Sequence, residues 1–205
     1  MIISALHSVS SEHINVLLED GTEIRSTLGV VTEMMLFRGK DLDDPALEQL
    51  KERSAVAFAV EKAVNLLSYR QMSGKELRTK LIRKGIGEDA TEAAVAKLYD
   101  LHMLDDEQYA AAVVRHYTAK GYGAARVRAE LARRGVDRDY WEEALSAASG
   151  SDDKLMSYIR SHLRDPDDRD QKRKVSAALY RRGYSWDEIR SAMSRFSSGS
   201  EDDYE

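Results

Sequence analysis

The spacing of apolar positions divides the chain into a short strand-like head and a long helical body. Residues 14–18 and 23–25 are apolar-rich runs that flank Asp20-Gly21, a dipeptide typical of hairpin turns. We expect residues 2–9 to add a third strand, because an isolated two-stranded hairpin is marginally stable in water. The head is therefore predicted to be a small antiparallel sheet.

Helical spacing replaces this pattern from residue 30 onward, where apolar residues recur every three to four positions. Asp44-Pro45 is typical of an N-cap followed by a proline in the first helical turn. The helix predicted to begin there either continues through Val64 or breaks near Ser54. It connects the head to the body.

The body is a threefold repeat. Residues 76–86, 126–136 and 174–184 align, with their glycines 50 and 48 residues apart. Each window has an apolar pair at i and i+4, which places one buried stripe on a helix. Two basic residues and a glycine follow, and the glycine suits the left-handed position after a helix. With a helix before and after each window, every repeat is predicted to contain three helices.

The predicted fold is mainly α, with three tandem three-helix repeats behind a small N-terminal β-strand head. Repeats that pack chiefly on their neighbours would form an elongated, curved solenoid. The predicted segments are a head with its connecting helix at 1–61, repeats at 62–107, 108–150 and 151–197, and an acidic disordered tail at 198–205.

Charge is distributed unevenly along the chain. The formal net charge is −5, but residues 1–61 carry −6, residues 62–199 carry +5 and the tail carries −4. A basic face repeated on three middle helices suits a long polyanion or the acidic groove of a protein filament. Two other interpretations stay open: cations that complement helix dipoles, at about 0.3–1 kcal/mol each, and a plain solvated face. The candidate contact residues are Lys75, Arg78, Arg83, Lys84, Arg126, Arg128, Arg133, Arg134, Lys172, Arg173, Lys174, Arg181 and Arg182.

Several functional classes lack support in the sequence. The chain has no cysteine, which excludes disulfides, cysteine-bound zinc and a thiol nucleophile. The apolar runs are too short to span a membrane and the N-terminus has no basic signal region, so we expect a cytoplasmic protein. No phosphate-binding loop or acid–base pair is present. The sequence predicts no enzyme activity, no cofactor and no metal.

Two further groups of residues favour a structural interpretation over a binding site. The aspartates within 41–44 and 165–170 fit linkers or N-caps better than a metal site, because neither run has the glycine and distal glutamate of a calcium loop. Tyr69, Tyr117 and Tyr122 lie near the basic windows. We interpret them as packing residues rather than as platforms for nucleobases.

The order of these motifs resembles the bacterial RecX family of regulatory proteins. The hairpin of residues 17–21 is similar to the head of longer family members. The family usually has glycine where this chain has His102, a residue type that can also enter the left-handed region. The third repeat is the weakest match. The matching motifs are residues 66–70, 73–78 and 81–85 in the first repeat, Leu104-Asp105-Asp106 with Tyr109-Ala110, and Gly121, Gly123 and residues 126–136 in the second.

The resemblance implies a modulator of the RecA recombinase. Family members bind the RecA–single-stranded-DNA filament and restrain its growth, ATP hydrolysis, strand exchange and SOS signalling. On this basis the expected partners are the RecA filament and single-stranded DNA, contacted directly or through RecA, by a monomer that binds no membrane. Two alternatives remain: a stand-alone DNA-binding module of three-helix repeats, and a scaffold for another protein.

Overall fold

The structure, a computed structural model, describes residues 1–147, 150–165 and 167–199. It consists of two compact units, Met1–Leu104 and Asp105–Glu205. Among the described helices, none combines the length and the apolarity needed to cross a bilayer.

The first unit begins with a three-stranded antiparallel sheet in which neighbouring strands are also neighbours in sequence. β1 (Ile3–Ser8) pairs with β2 (His13–Leu18), which pairs with β3 (Glu23–Thr27). The turn between β2 and β3 is closed by a bond from the amide of Leu18 to the carbonyl of Thr22, at 2.8 Å. The predicted third strand and hairpin are both confirmed.

The long helix that follows joins the sheet to the first repeat. After the short helix α1 (Leu28–Glu33), helix α2 runs unbroken over Asp44–Tyr69, and its N-cap is Asp43 rather than the predicted Asp44. Ser54 does not break α2, and its buried hydroxyl donates to Ser26 Oγ on β3 at 2.8 Å. The helix is therefore both the support of the sheet and the first helix of repeat 1, and the predicted segment boundary at residue 61 lies within it.

Repeat 1 is completed by α3 (Gly74–Arg83) and α4 (Glu88–Asp100). Its core is separate from that of the sheet and is centred on the predicted pair Leu77 and Leu81, both fully buried. The chain leaves α4 through His102, which has a φ of +53°. The left-handed turn expected at this histidine is confirmed.

The second unit holds repeats 2 and 3, each with its own core. In both repeats the predicted apolar pair of the middle helix is buried, Val127 with Leu131 and Val175 with Leu179. The helices of repeat 2 are α5 (Asp106–Ala119), α6 (Ala124–Arg133) and α7 (Trp141–Ser146), with a 3-10 turn at Arg138–Tyr140; those of repeat 3 are α8 (Ser151–His162), α9 (Arg169–Arg181) and α10 (Trp186–Gly199).

Predicted caps begin several of these helices. The hydroxyl of Ser73 accepts from the amide of Glu76 at 3.1 Å, and Asp105 accepts from the amide of Gln108 at 2.8 Å. Ser185 and Glu188 form a reciprocal capping box at the start of α10. The mainly helical fold with three three-helix repeats and a small N-terminal sheet is confirmed. Residues 200–205 of the predicted acidic tail lie outside the described residues.

Candidate polyanion-binding surface

The three middle helices, α3, α6 and α9, place their basic residues in equivalent positions. In each helix the buried i, i+4 pair fixes which side faces the core. The chain then turns at a glycine of positive φ: Gly85 at +83°, Gly135 at +70° and Gly183 at +95°. Because the basic pair directly precedes this glycine, it always lies at the helix C-terminus, where cations favour the helix dipole.

Repeat 1 has one paired and three unpaired candidates. The Nε of Arg78 donates to Glu92 on α4 at 2.8 Å, so this side chain turns toward the next helix. Lys75, Arg83 and Lys84 are exposed, and none forms an ion pair with a described residue. These three cations are available to a partner.

Repeat 2 reproduces the same inter-helix ion pair. Arg128 on α6 contacts Glu142 on α7 at 3.1 Å, and both residues lie 50 positions after Arg78 and Glu92. Here the pair is bidentate, since the guanidinium contacts both carboxylate oxygens. The repeat therefore conserves a structural role for this cation in its first two copies.

Glu130 gathers the remaining candidates of repeat 2. Although only 5% exposed, this carboxylate contacts Arg133 at 2.6 Å, Arg126 at 3.4 Å and Arg134 at 4.0 Å. Burial by itself raises the pKa of Glu130, but hydrogen bonds from Arg133 and Tyr117 and the charges of the arginines outweigh it and hold the pKa below its usual range. Glu130 therefore stays ionised and neutralises part of this basic face.

Arg134 is held further by aromatic side chains. Its Nη1 donates to the hydroxyl of Tyr109 at 2.8 Å, and its guanidinium lies 5.9 Å from the centre of the Tyr117 ring. Tyr117 and Tyr122 pack against the core of repeat 2, as predicted, whereas Tyr69 is 86% exposed and the packing prediction is wrong for it. The sequence interpretation missed Tyr109 and Glu130, although the spacing of Glu130 from Arg126 and Arg133 is a recognisable helical ion-pair pattern.

Repeat 3 differs because its candidate cations are largely free of carboxylates. Lys172, Lys174 and Arg181 form no ion pair with any residue that the structure describes. Arg173 contacts Asp170 at 3.3 Å, but both side chains are more than three-quarters exposed. The guanidinium of Arg182 lies 4.5 Å from the centre of the Tyr158 ring.

The conserved ion pair is also missing from repeat 3. By the 48-residue offset, the positions of Arg128 and Glu142 are taken by Ser176 and Arg190. A cation therefore stands where the first two repeats have a carboxylate. Repeat 3 consequently presents the strongest uncompensated positive charge in the second unit.

A backbone contact joins repeats 2 and 3. The amide of Gly123 donates to the carbonyl of Arg182 at 2.9 Å, and the amide of Ala125 donates to the carbonyl of Gly183 at 3.1 Å. A Cβ at Gly123 would overlap the backbone of Gly183 and Tyr184. Gly123 is therefore a point of close backbone contact between the two repeats.

The aspartate-rich segments act as caps where the structure describes them. Asp43 accepts from the amide of Ala46 at 2.8 Å, and Asp168 accepts from the amides of Asp170 and Gln171. Hydrogen bonds from the backbone amide and the side chain of Gln171, and from the backbone amide of Asp170, lower the pKa of Asp168. No cluster of three or more possible metal ligands is found in the described part of the chain.

Comparison with known proteins decides the family. Models of the first, second and third three-helix domains of RecX match residues 59–98, 105–145 and 158–193. A regulatory protein RecX of Xanthomonas axonopodis pv. citri is 40% identical over 136 residues, which cover 65% of this chain and 84% of that protein. The chain belongs to the RecX family.

Other RecX proteins extend the similarity over most of the chain. The regulatory protein RecX of Bacillus licheniformis is 29% identical over 190 residues, covering 90% of this chain and 72% of that one. A crystal structure of regulatory protein RecX has the same fold, with a TM-score of 0.73 at 21% identity over 92% of this chain and 97% of that one. RecX from Lactobacillus salivarius aligns over 70% of this chain and 97% of its own, with a TM-score of 0.63 and 25% identity.

The three RecX domains correspond to the three repeats found by self-comparison of the sequence. Each matched range contains one complete middle helix, α3, α6 or α9. Membership of a family of regulatory proteins supports a regulatory role for this chain.

Proposed function

We propose that this RecX protein binds the RecA–single-stranded-DNA filament and restrains its growth. It acts without catalysis, as a monomer in the bacterial cytoplasm, and thereby lowers ATP hydrolysis, strand exchange and SOS signalling. The proposal joins the family relationship to one structural observation. That observation is the set of cations on α3 and α9 that have no carboxylate partner within the described residues.

The uncompensated cations support a polyanionic partner. A cation that already lies beside a carboxylate gains less binding energy from a phosphate, because its charge is partly compensated before the phosphate binds. The cations that are at least partly exposed and form no ion pair with a described residue are Lys75, Arg83 and Lys84 in repeat 1 and Lys172, Lys174 and Arg181 in repeat 3. We propose these residues as the principal contacts to RecA or its DNA, ahead of the candidates in repeat 2.

The overall charge supports a protein filament on DNA rather than bare DNA as the partner. The chain carries a net charge of −5, and Glu130 and Glu142 neutralise much of repeat 2. Affinity for naked DNA comes largely from counterion release by unpaired cations, so a partly neutralised surface binds it weakly at physiological salt. A composite surface of RecA and DNA can supply contacts that bare DNA lacks.

The test is a charge reversal in repeat 3. We expect the variant K172E/K174E/R181E to lose inhibition of the DNA-dependent ATPase of RecA, because each substitution replaces attraction to the filament with repulsion. The matched control is R115E/K120E/R160E, which makes the same change in net charge at exposed positions on or next to α5 and α8. Circular dichroism establishes that both variants are folded.

The outcomes separate the alternatives. Loss of inhibition in the α9 variant with inhibition retained in the control supports the proposed contacts. Equal loss of inhibition in both variants would contradict the proposed contacts, because it would show that only the net charge of the protein matters. Tight, steeply salt-dependent binding to DNA without RecA would favour the stand-alone DNA-binding module, and a wild-type protein with no effect on RecA would favour a scaffold for another partner.

A further inference from the structure

Two aromatic rings lie stacked on the surface of repeat 3. Tyr180, near the end of α9, and Trp186, the first residue of α10, have ring centres 4.9 Å apart and planes inclined by 17°. Both remain half exposed, Tyr180 at 52% and Trp186 at 51%. The two rings therefore stack on each other while about half of each residue stays accessible to solvent.

The fold of the repeat does not depend on this aromatic pair. The turn between α9 and α10 is anchored by Tyr184, which is 2% exposed and belongs to the core of repeat 3 together with Leu179 and Ile189. Tyr180 and Trp186 lie outside that core. Packing accounts for Tyr184 but leaves the exposed pair without a structural task.

The other repeats have no equivalent pair. At the positions that correspond to Tyr180 and Trp186, repeat 2 has Ala132 and Arg138, and repeat 1 has Ile82 and Glu88. The aromatic pair thus coincides with the repeat in which α9 has the most uncompensated cations. Two separate features that favour nucleic acid occur together in repeat 3.

Basic residues share the helix faces that carry the rings. Arg190 follows Trp186 by one helical turn and Arg173 precedes Tyr180 by two turns, so both lie on the faces that carry the rings. Their partners Asp187 and Asp170 are highly exposed and contact them at 3.8 and 3.3 Å, which leaves these ion pairs weak. Arg181 is adjacent to Tyr180 and unpaired among the described residues. Residues 169–190 contain seven basic and three acidic side chains.

We propose that Tyr180 and Trp186 form a stacking platform for an unpaired nucleobase of single-stranded DNA. This inference rests on the proposed function and assigns it a specific contact in repeat 3. A base added to the outer face of either ring extends the existing stack, and the neighbouring arginines bind the phosphates on either side. Stacking requires a base that is not already paired, so the platform favours single strands over duplexes.

The charge around the rings favours this occupant over an apolar protein surface. Exposed aromatic residues interleaved with cations are the usual construction of surfaces that bind single strands without sequence preference. A protein partner that used the same rings as an apolar anchor would leave the arginines desolvated and unpaired, which is costly. Protein docking through these rings is therefore an outcome that the test must detect.

Tryptophan fluorescence tests the platform directly, because the chain has two tryptophans. One of them, Trp141, lies in repeat 2, where its indole donates to the carbonyl of Val136 at 3.1 Å. The W141F variant therefore has Trp186 as its single fluorescent tryptophan. We expect an oligothymidine to quench the emission of this variant and a duplex of equal length to quench it far less. The matched W186F variant, which reports on Trp141, should show little change.

Binding measurements on unlabelled protein give the magnitude. W186A and Y180A should weaken binding to the oligothymidine by roughly 5- to 150-fold, the range expected for the loss of one base–aromatic contact. W186F, which keeps an aromatic face, should retain most of the affinity. Thermal unfolding should be little changed in all three variants, since both rings lie outside the core.

The platform is overturned if Trp186 emission is unchanged at saturating oligothymidine, or if W186A binds as wild type does. Quenching of Trp186 by RecA without DNA would also overturn it and would assign the rings to protein docking. Inhibition of the RecA ATPase is measured in parallel. If Trp186 does not respond to oligothymidine but the protein fully inhibits the RecA ATPase, only this inference is rejected. If wild-type protein does not inhibit the ATPase, the proposed function is rejected.

Discussion

Repeats 2 and 3 share one helical plan but use their arginines differently. In repeat 2 the basic residues of α6 are held by Glu130 and Glu142. In repeat 3 the residue at the Glu142 position is Arg190, and the one at the Glu130 position is Ala178. The same sequence motif therefore gives a largely neutralised surface in one copy and a largely uncompensated basic surface in the next. A repeated basic pattern is by itself insufficient to identify a binding face.

Repeats 2 and 3 are joined by the backbone contact between Gly123 and Gly183, and we expect its loss to have the largest effect on stability. We expect G183A to destabilise the protein by about 3 kcal/mol or more, because a Cβ at this φ of +95° is strained and would lie 2.7 Å from that of Arg126. The measurement is urea-induced unfolding followed by circular dichroism.

G85A is the matched control for this substitution. Gly85 has a similar φ of +83°, but a Cβ there meets nothing within 4 Å. The control should therefore suffer only the strain of a left-handed alanine, which lowers stability by about 1–2 kcal/mol. Equal destabilisation by the two substitutions would contradict the role assigned to the contact between Gly123 and Gly183.

Removing the charge of Glu130 should make repeat 2 resemble repeat 3. E130Q frees Arg126, Arg133 and Arg134 from a buried carboxylate, and we expect it to destabilise the protein by about 1–3 kcal/mol. Binding to single-stranded DNA should become tighter and more salt-dependent as cations are released from Glu130. A salt titration of DNA binding checks the second effect, and unchanged binding would contradict the neutralising role.

The stability effect of Glu130 should also depend on pH. The pKa of Glu130 in the folded protein is below its usual value of 4.5, so its ionised form stabilises the fold. This contribution is fully present above about pH 4.5 and disappears as the pH falls through the lowered pKa. The difference in unfolding free energy between wild type and E130Q should therefore shrink with acidification, as measured by urea unfolding over a pH series. A constant difference would count against an ionised Glu130.

Releasing the conserved inter-helix ion pair should have the smallest effect. Glu142 is 76% exposed, so E142Q is expected to change stability by less than about 1 kcal/mol. The freed Arg128 should make the slope of log affinity against log salt for single-stranded DNA more negative by up to about 0.7. R190E removes a cation from repeat 3 and should make that slope less negative. Equal slopes in E142Q and wild type would show that Arg128 does not reach the DNA.

Much of the fold could be predicted because its signals are local. The buried pair of each middle helix and the glycine after it lie within a few positions of one another, and the structure has them in all three copies. Capping signals are equally local, although the N-cap of α2 is Asp43 and not Asp44. The sequence leaves the continuity of α2 open, because the partner of the buried Ser54 hydroxyl is Ser26, 28 residues away along the chain. Local patterns carry no information about such partners.

The positions of the candidate contact residues could be predicted, but which of their charges are compensated by carboxylates could not. The sequence by itself determined three equivalent helices with basic C-termini, since helical spacing and turn glycines are written in short windows. Only the tertiary structure decided which of those cations form ion pairs, because Glu92 and Glu142 reach α3 and α6 from the following helix. It also brought Tyr180 against Trp186 across a turn and set Gly123 on Gly183. An ion pair, a ring stack or a backbone contact depends on distances of a few ångströms that only packing fixes.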